Sequence, residues 1–168
     1  DHQHRVYPNV AASLEVTGIN QLWVADITYI RLETEFVYLA VILDAYSRRV
    51  VGWALDRTVE ASLVITALQR ALQERQPTPG LVHHSDRGVQ YACGAYPDLL
   101  QLHKITISMS RKANPYDNAQ AESFMKTLKY EEVYRQEYRS MAEALASISE
   151  FIDHTYSEKR LHSAFGYQ

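Results

Sequence analysis

Two hydrophobic rhythms run along this chain. Runs rich in β-branched and aromatic residues occupy Trp23–Ile30, Phe36–Leu43 and Val50–Leu55, with shorter ones at Leu81–Ser85 and Ile105–Ser108. Such runs, bounded by polar or turn-forming residues, predict strands. Phe36–Leu43 is nearly all apolar, as a strand covered on both faces should be. Only Glu33-Thr34-Glu35 and Asp44-Ala45-Tyr46-Ser47-Arg48 separate the first three runs, which predicts an antiparallel meander beginning at Gln21. The second rhythm is helical. Ala61, Val64, Ile65, Leu68, Ala71 and Leu72 recur at i, i+3, i+4 and i+7. Thr58 is the expected N-cap, Glu60 lies in the expected first turn, and Gln76-Pro77-Thr78-Pro79-Gly80 is the stop. Tyr91 to His103 is predicted helical despite Gly94 and Pro97. A further helix is predicted from Asn118 to about Arg135, with Pro115 presetting the turn and Asp117 or Asn118 as cap. Ser140-Met141-Ala142-Glu143 is a capping box opening a last amphipathic helix through Ile152. The order β-β-β-α-β-α-β-α-α predicts an α/β domain: a five-stranded mixed sheet with helices on its faces.

The chain has 168 residues, enough for one domain with a real core. Residues 1–20 lack a clear period and read as a linker or lead-in segment. Residues 21–156 form the core domain, and 157–168 a polar, basic C-terminal tail. The chain begins without methionine, and we read it as a piece of a longer protein. Hydrophobic residues make up 46% and charged residues 22%, the balance of a soluble globular protein. The net charge of −3 excludes a globally basic nucleic-acid binder, so any DNA contact needs a local patch or bound cations. Cys93 is the only cysteine. No internal disulfide or cysteine-based zinc site is possible, in keeping with a cytoplasmic protein. No apolar run approaches membrane-spanning length.

Three acids stand out. Asp26 interrupts a strand, where aspartate is depleted and a buried carboxylate needs a partner. Asp86 ends the fourth strand, where open α/β sheets place their sites. An Asx turn with Arg87-Gly88 accounts for it equally well. Glu122 sits on the helix after the fifth strand. On a helical wheel, Ala121, Phe124, Met125 and Leu128 share one apolar arc, while Glu122, Lys126 and Lys129 fall within about 40° of one another. An ordinary i,i+4 ion pair explains Glu122 and Lys126 at about 0.2–0.5 kcal/mol. A metal ligand flanked by phosphate-binding lysines is the alternative. Three carboxylates converging at a sheet edge repel unless divalent cations hold them, and oxygen-only donors select Mg²⁺ or Mn²⁺. On this view the three carboxylates should gather in one metal-sized cluster. Other residues have quieter readings. His83 and His84 are expected to be satisfied core histidines, Cys93 a small buried hydrophobe, and Trp23, Tyr29, Tyr38 and Trp53 core aromatics. Arg160 and His162 touch DNA or dock on the domain.

Six words stand along the chain: Trp23-Val24-Ala25-Asp26-Ile27-Thr28-Tyr29-Ile30, Leu43-Asp44-Ala45-Tyr46-Ser47-Arg48, His84-Ser85-Asp86-Arg87-Gly88-Val89-Gln90-Tyr91, Ser108-Met109-Ser110-Arg111-Lys112, Asn114-Pro115-Tyr116-Asp117-Asn118-Ala119-Gln120-Ala121-Glu122-Ser123-Phe124 and Arg160-Leu161-His162-Ser163-Ala164-Phe165-Gly166-Tyr167. Together they resemble the catalytic core of bacterial transposases of the insertion-sequence-three type, in the retroviral-integrase superfamily. Thirty-five residues separate Asp86 from Glu122, the spacing recorded in the family's DD(35)E name. The resemblance implies an RNase H-like fold with strand order 3-2-1-4-5. It implies that Asp26, Asp86 and Glu122 are the catalytic acids, with Asp26 bridging two Mg²⁺ or Mn²⁺ ions. It further implies metal-dependent DNA cleavage and strand transfer at transposon ends and target DNA, by a homo-oligomer associated with the nucleoid when bound. Lys126 and Lys129, and secondarily Arg87, Arg111 and Lys112, are the candidate phosphate contacts. Asn114 and Asn118 are candidate loop supports. Ala113 stands where the family usually has glycine, and the usual upstream helix-turn-helix is absent. Two other functions compete: a simple RNase H-like hydrolase, and a non-catalytic DNA-binding or assembly module.

Overall fold

The computed structural model describes residues 5–110, 119–133 and 137–156. Five strands form one sheet: β1 (Leu22–Arg31), β2 (Phe36–Asp44), β3 (Val50–Asp56), β4 (Val82–Ser85) and β5 (Thr106–Met109), in the order β3-β2-β1-β4-β5. The meander is antiparallel, with Asp26 opposite Val41 and Ala40 opposite Ala54. β4 lies parallel to β1, and β5 parallel to β4. This is the expected order and the expected mixed sheet.

Both sheet faces are sealed by helices. One face carries α1 (Ala61–Arg75), α2 (Val89–Ala92) and α3 (Ala95–Leu102), burying Trp23, Ile42, Leu68 and Leu100. The other carries α4 (Ala119–Leu128) and α5 (Met141–Glu150), burying Val24, Val41, Phe124, Leu128 and Ile148. The apolar arc of α4 is therefore the one read from the sequence, and each such buried side chain contributes about 1.5–3 kcal/mol. Gly52 sets how closely α1 approaches β3. A Cβ there would stand 2.3 Å from the Ala67 carbonyl oxygen and 2.8 Å from the Ala71 Cβ.

Several local expectations are corrected. α1 takes Glu60, not Thr58, as its N-cap, and no side chain caps it. The helix expected from Tyr91 to His103 is two helices. Gly94, at φ 72° and ψ −138°, breaks it with a conformation that residues bearing a Cβ avoid. α4 keeps α-helical winding only to Leu128. Lys129–Val133 continues as a π-helical turn rather than as α-helix toward Arg135. Ser140 is the N-cap of α5 as expected, with the Glu143 N–H donating to Ser140 Oγ at 3.2 Å. The lead-in segment lies along β5, where the Met109 N–H donates to the Pro8 carbonyl and the Ala11 N–H to Ser108 Oγ. Asp44 is fully buried and organises its turn by accepting from the N–H groups of Asn20, Tyr46 and Ser47.

Candidate active site

The sheet brings the first two acids together through its register. β1 pairs with β4 only over Leu22–Val24 against Val82–His84. Two residues further along that register, Asp26 stands level with Asp86. Beyond Val24 the strands part, so both acids sit at the fork, at the C-terminal end of β4. Along β1, Val24 packs beneath α4 and α5, and the alternation of side chains sends Asp26 to the same face. α4 packs against β1 and carries Glu122 in its first turn.

Electrostatics links all three. Asp26 is half-buried, and its carboxyl is pushed up to about 6 from 3.8. Burial is the main cause. The charges of Asp86 and Glu122 push the same way, and the Ile27 backbone N–H opposes them. Asp86 and Glu122 are exposed. Asp86 Oδ1 accepts the Gly88 N–H at 2.7 Å, so the Asx turn and the acid at the strand end are both present. Gly88 is needed there for space, since a Cβ would fall 2.8 Å from Asp86 Oδ1 and 2.9 Å from Gln90 Oε1. Among the described residues no group of three or more His, Cys, Asp or Glu stands ready to hold a metal ion. The acids thus feel one another without forming the metal-sized cluster expected from the sequence. The donor set is nonetheless all carboxylate oxygen, and a divalent cation would offset both the burial that chiefly raises Asp26 and the smaller repulsion from Asp86 and Glu122.

The remaining candidates divide. Glu122 and Lys126 form no ion pair; among the described residues the single recorded ion pair is Arg57–Glu35. Lys126 is exposed on the Glu122 face. Lys129 lies further along, with Nζ 4.7 Å from the centroid of the Tyr29 ring. Arg87 is exposed in the turn after Asp86. Arg111, Lys112, Asn114 and Asn118, with Ala113, Asp117, Arg160 and His162, lie outside the described residues. His83 and His84 are buried and hydrogen-bonded, His83 Nε2 to the Tyr96 hydroxyl at 2.6 Å and His84 Nδ1 to Ser108 Oγ at 2.8 Å. Burial pushes His83 down to about 3, which keeps it neutral. Cys93 is half-buried against the first core cluster. Trp23 is core, and Tyr38 and Trp53 are partly buried. Tyr29 is not core: it is 57% exposed. Aromatic content alone did not distinguish the covered part of β1 from the part that outruns its helices. Sequence reading also missed Tyr91, which is buried in α2 and feels the charges of Asp26 and Asp86. Its place five residues after Asp86 was the available signal.

Integrase core domain models match residues 17–115 and 103–168. The chain belongs to the integrase core domain family. It is 39% identical over 162 residues to the transposase for insertion sequence element IS904 of Lactococcus lactis, covering 96% of this chain and 64% of that protein. It is 39% identical over 150 residues to the Escherichia coli transposase InsF for IS3A, covering 89% of this chain and 52% of that protein. The chain thus spans between half and two thirds of these relatives. Solved integrase and transposase cores share its RNase H-like fold. The simian T-cell lymphotropic virus intasome in complex with PP2A regulatory subunit B56 gamma gives a TM-score of 0.67 at 21% identity, over 90% of this chain and 54% of that one. The Mos1 mariner transposase catalytic domain gives 0.62 at 17% identity, over 85% and 76%. The HTLV-2 integrase catalytic core in complex with magnesium gives 0.55 at 17% identity, over 66% and 68%.

Proposed function

We propose that this integrase core domain is the catalytic part of an insertion-sequence transposase, cutting and joining DNA strands with divalent metal ions. The observation that carries the reading is the β1–β4 register, which sets Asp26 level with Asp86 while α4, packed on β1, carries Glu122 in its first turn. The charges of Asp86 and Glu122 both raise the Asp26 carboxyl, behind the larger effect of burial. These three residues would hold the metal, Mg²⁺ or Mn²⁺, as two ions. Bound there, the ions would stabilise charge on the phosphoryl group and activate the attacking oxygen. The protein's own contribution is positional. The sheet register fixes Asp26 beside Asp86, the Gly88 N–H orients the Asp86 carboxylate, and the apolar face of α4 presents Glu122. Lys126, on the Glu122 face of that helix, and Lys129, in the π-helical turn beyond it, would take DNA phosphates along the strand. Arg87 would add a contact beside Asp86, and Arg111 and Lys112 lie on the segment leading to α4.

Transposase relatives and a magnesium-bound core of the same fold support DNA and divalent metal as substrate and cofactor. Action on transposon ends and target DNA as a homo-oligomer, in the cytoplasm and on the nucleoid, belongs to the same proposal. Among the described residues no helix is long and apolar enough to cross a membrane.

The test is plasmid nicking and strand joining by the purified chain with Mg²⁺ or Mn²⁺. The wild-type chain is expected to nick DNA and, given pre-cut ends, to form joined products. Asp86→Asn and Glu122→Gln should abolish both while circular dichroism stays unchanged. Full activity in Asp86→Asn would sink the mechanism, and nicking without any joined product would favour a simple hydrolase.

A further inference from the structure

Past the fork, one face of the β1–β2 ribbon outruns its covering, while Ile30 and Val37 stay buried on the other. Trp23 and Ala25 are sealed beneath helices, whereas Tyr29 is 57% and Phe36 49% exposed. No described strand pairs with the β4-side edge of β1 beyond Val24. Tyr29 and Phe36 sit on neighbouring strands as diagonal partners, since Tyr29 opposes Tyr38 and Phe36 opposes Arg31. Their rings meet edge to face, 5.6 Å between centroids at 73°. The Lys129 ammonium rests against the Tyr29 ring and, among the described residues, has no carboxylate partner. Tyr29 and Lys129 line a cleft of about 850 Å³ that also carries Arg31 and Arg139, with Glu33 and Glu137. Half-exposed aromatic rings beside an ammonium are the chemistry that grips single-stranded nucleic acid. Bases stack on the rings, and phosphates meet the cations.

Taking DNA as the substrate, as proposed above, we propose that Tyr29 and Phe36, with the Lys129 ammonium beside them, form a stacking platform for an unpaired base of the strand that enters the acid site. The link to that site runs through Lys129, seven positions beyond Glu122 and about 10 Å along the helix. Tyr29, an odd number of positions from Asp26 on an alternating strand, turns to the other face of β1 and is met there by the Lys129 ammonium. At about 3.4 Å per nucleotide of stacked strand, the captured base lies roughly three nucleotides from the phosphate at the acids. One residue pair then serves both parts of a nucleotide: the ring takes the base, and the ammonium takes its phosphate.

The experiment compares binding of the purified chain to a short oligothymidine strand and to an abasic strand of equal length and charge, by fluorescence anisotropy at low salt. The abasic strand keeps every phosphate and lacks every base. The wild-type chain should prefer the base-bearing strand by about ten-fold. Tyr29→Leu and Phe36→Leu should lose that preference with unchanged thermal melting, and Tyr29→Phe, which retains the ring, should keep it. Equal binding of both strands by the wild-type chain, no binding of either, or a preference that survives both leucine variants would overturn the platform. The plasmid assay keeps the two ideas separable. A chain that nicks DNA without base preference loses only the platform. A chain with base preference that never nicks loses only the catalytic reading.

Discussion

Replacing Asp26 with asparagine should make the metal-free protein more stable, and only above a definite pH. The Asp26 carboxyl lies at about 6 in the folded chain against 3.8 for the ordinary group, first because it is buried and then because Asp86 and Glu122 are near. A raised folded-state value means that the native protein holds this proton more tightly than the unfolded chain does. Below about pH 4 the acid is protonated in both states, and the contribution from neutral Asp26 is fully present. As pH rises through 6 that contribution is lost. The gap of about two pH units corresponds to about 3 kcal/mol. Asparagine has the same shape and no charge to desolvate. The asparagine variant should therefore match the wild-type chain near pH 4 and exceed it by up to about 3 kcal/mol at pH 8. That is roughly 6–12 °C in melting temperature for a domain of this size. Urea unfolding in EDTA across pH 4–8 measures it. Adding Mg²⁺ at pH 8 should close most of the gap by stabilising the wild-type chain alone. A difference that does not vary with pH, or a variant less stable than wild type at pH 8, would refute the electrostatic account.

Other substitutions probe close packing, the Asx turn and a buried carboxylate. Gly52→Ala forces a Cβ into the α1 backbone and should cost about 1–3 kcal/mol or more by urea unfolding. Gly88→Ala pushes against Asp86 Oδ1; melting should change little while plasmid nicking falls, and unchanged nicking would remove the Asx turn from the mechanism. Tyr138→Phe removes the hydroxyl that donates to buried Glu132 at 2.8 Å and should cost about 1–3 kcal/mol of stability with little effect on DNA affinity.

Much of this fold could be read from the chain because its elements repeat one message at several levels. The meander was legible from three apolar runs joined by turns too short for a crossover. α1 and the buried stripe of α4 followed from helical periodicity. The strand order came from the family resemblance, because the local pattern that makes β4 and β5 strands carries no information about which neighbours they choose. The candidate site was legible as three acids in suspect positions. Their nearness depends on the register of β1 on β4, which no single segment encodes. Tyr29 was misread because a strand of aromatic and β-branched residues looks the same whether or not a helix covers it. Gly94 and Pro97 were visible, but whether they kink, break or merely weaken a helix depends on the backbone angle adopted. Glu132 escaped notice because its partners, the hydroxyls of Tyr138 and Ser147, come from beyond its own turn.

The placement of Glu122 after the last strand has a consequence for synthesis. All five strands are complete once the chain has reached Met109, and by then Asp26 and Asp86 can already lie side by side. The third acid comes later, and the Phe124 and Leu128 contacts that seat it form only when α4 docks on the finished sheet. With domains folding from the N-terminus as they emerge at about 5–20 residues per second, the growing polypeptide carries two thirds of its acid site before it carries the rest. A nascent chain stalled short of α4 would thus have one face of its sheet bare and only two of the three acids proposed to hold metal.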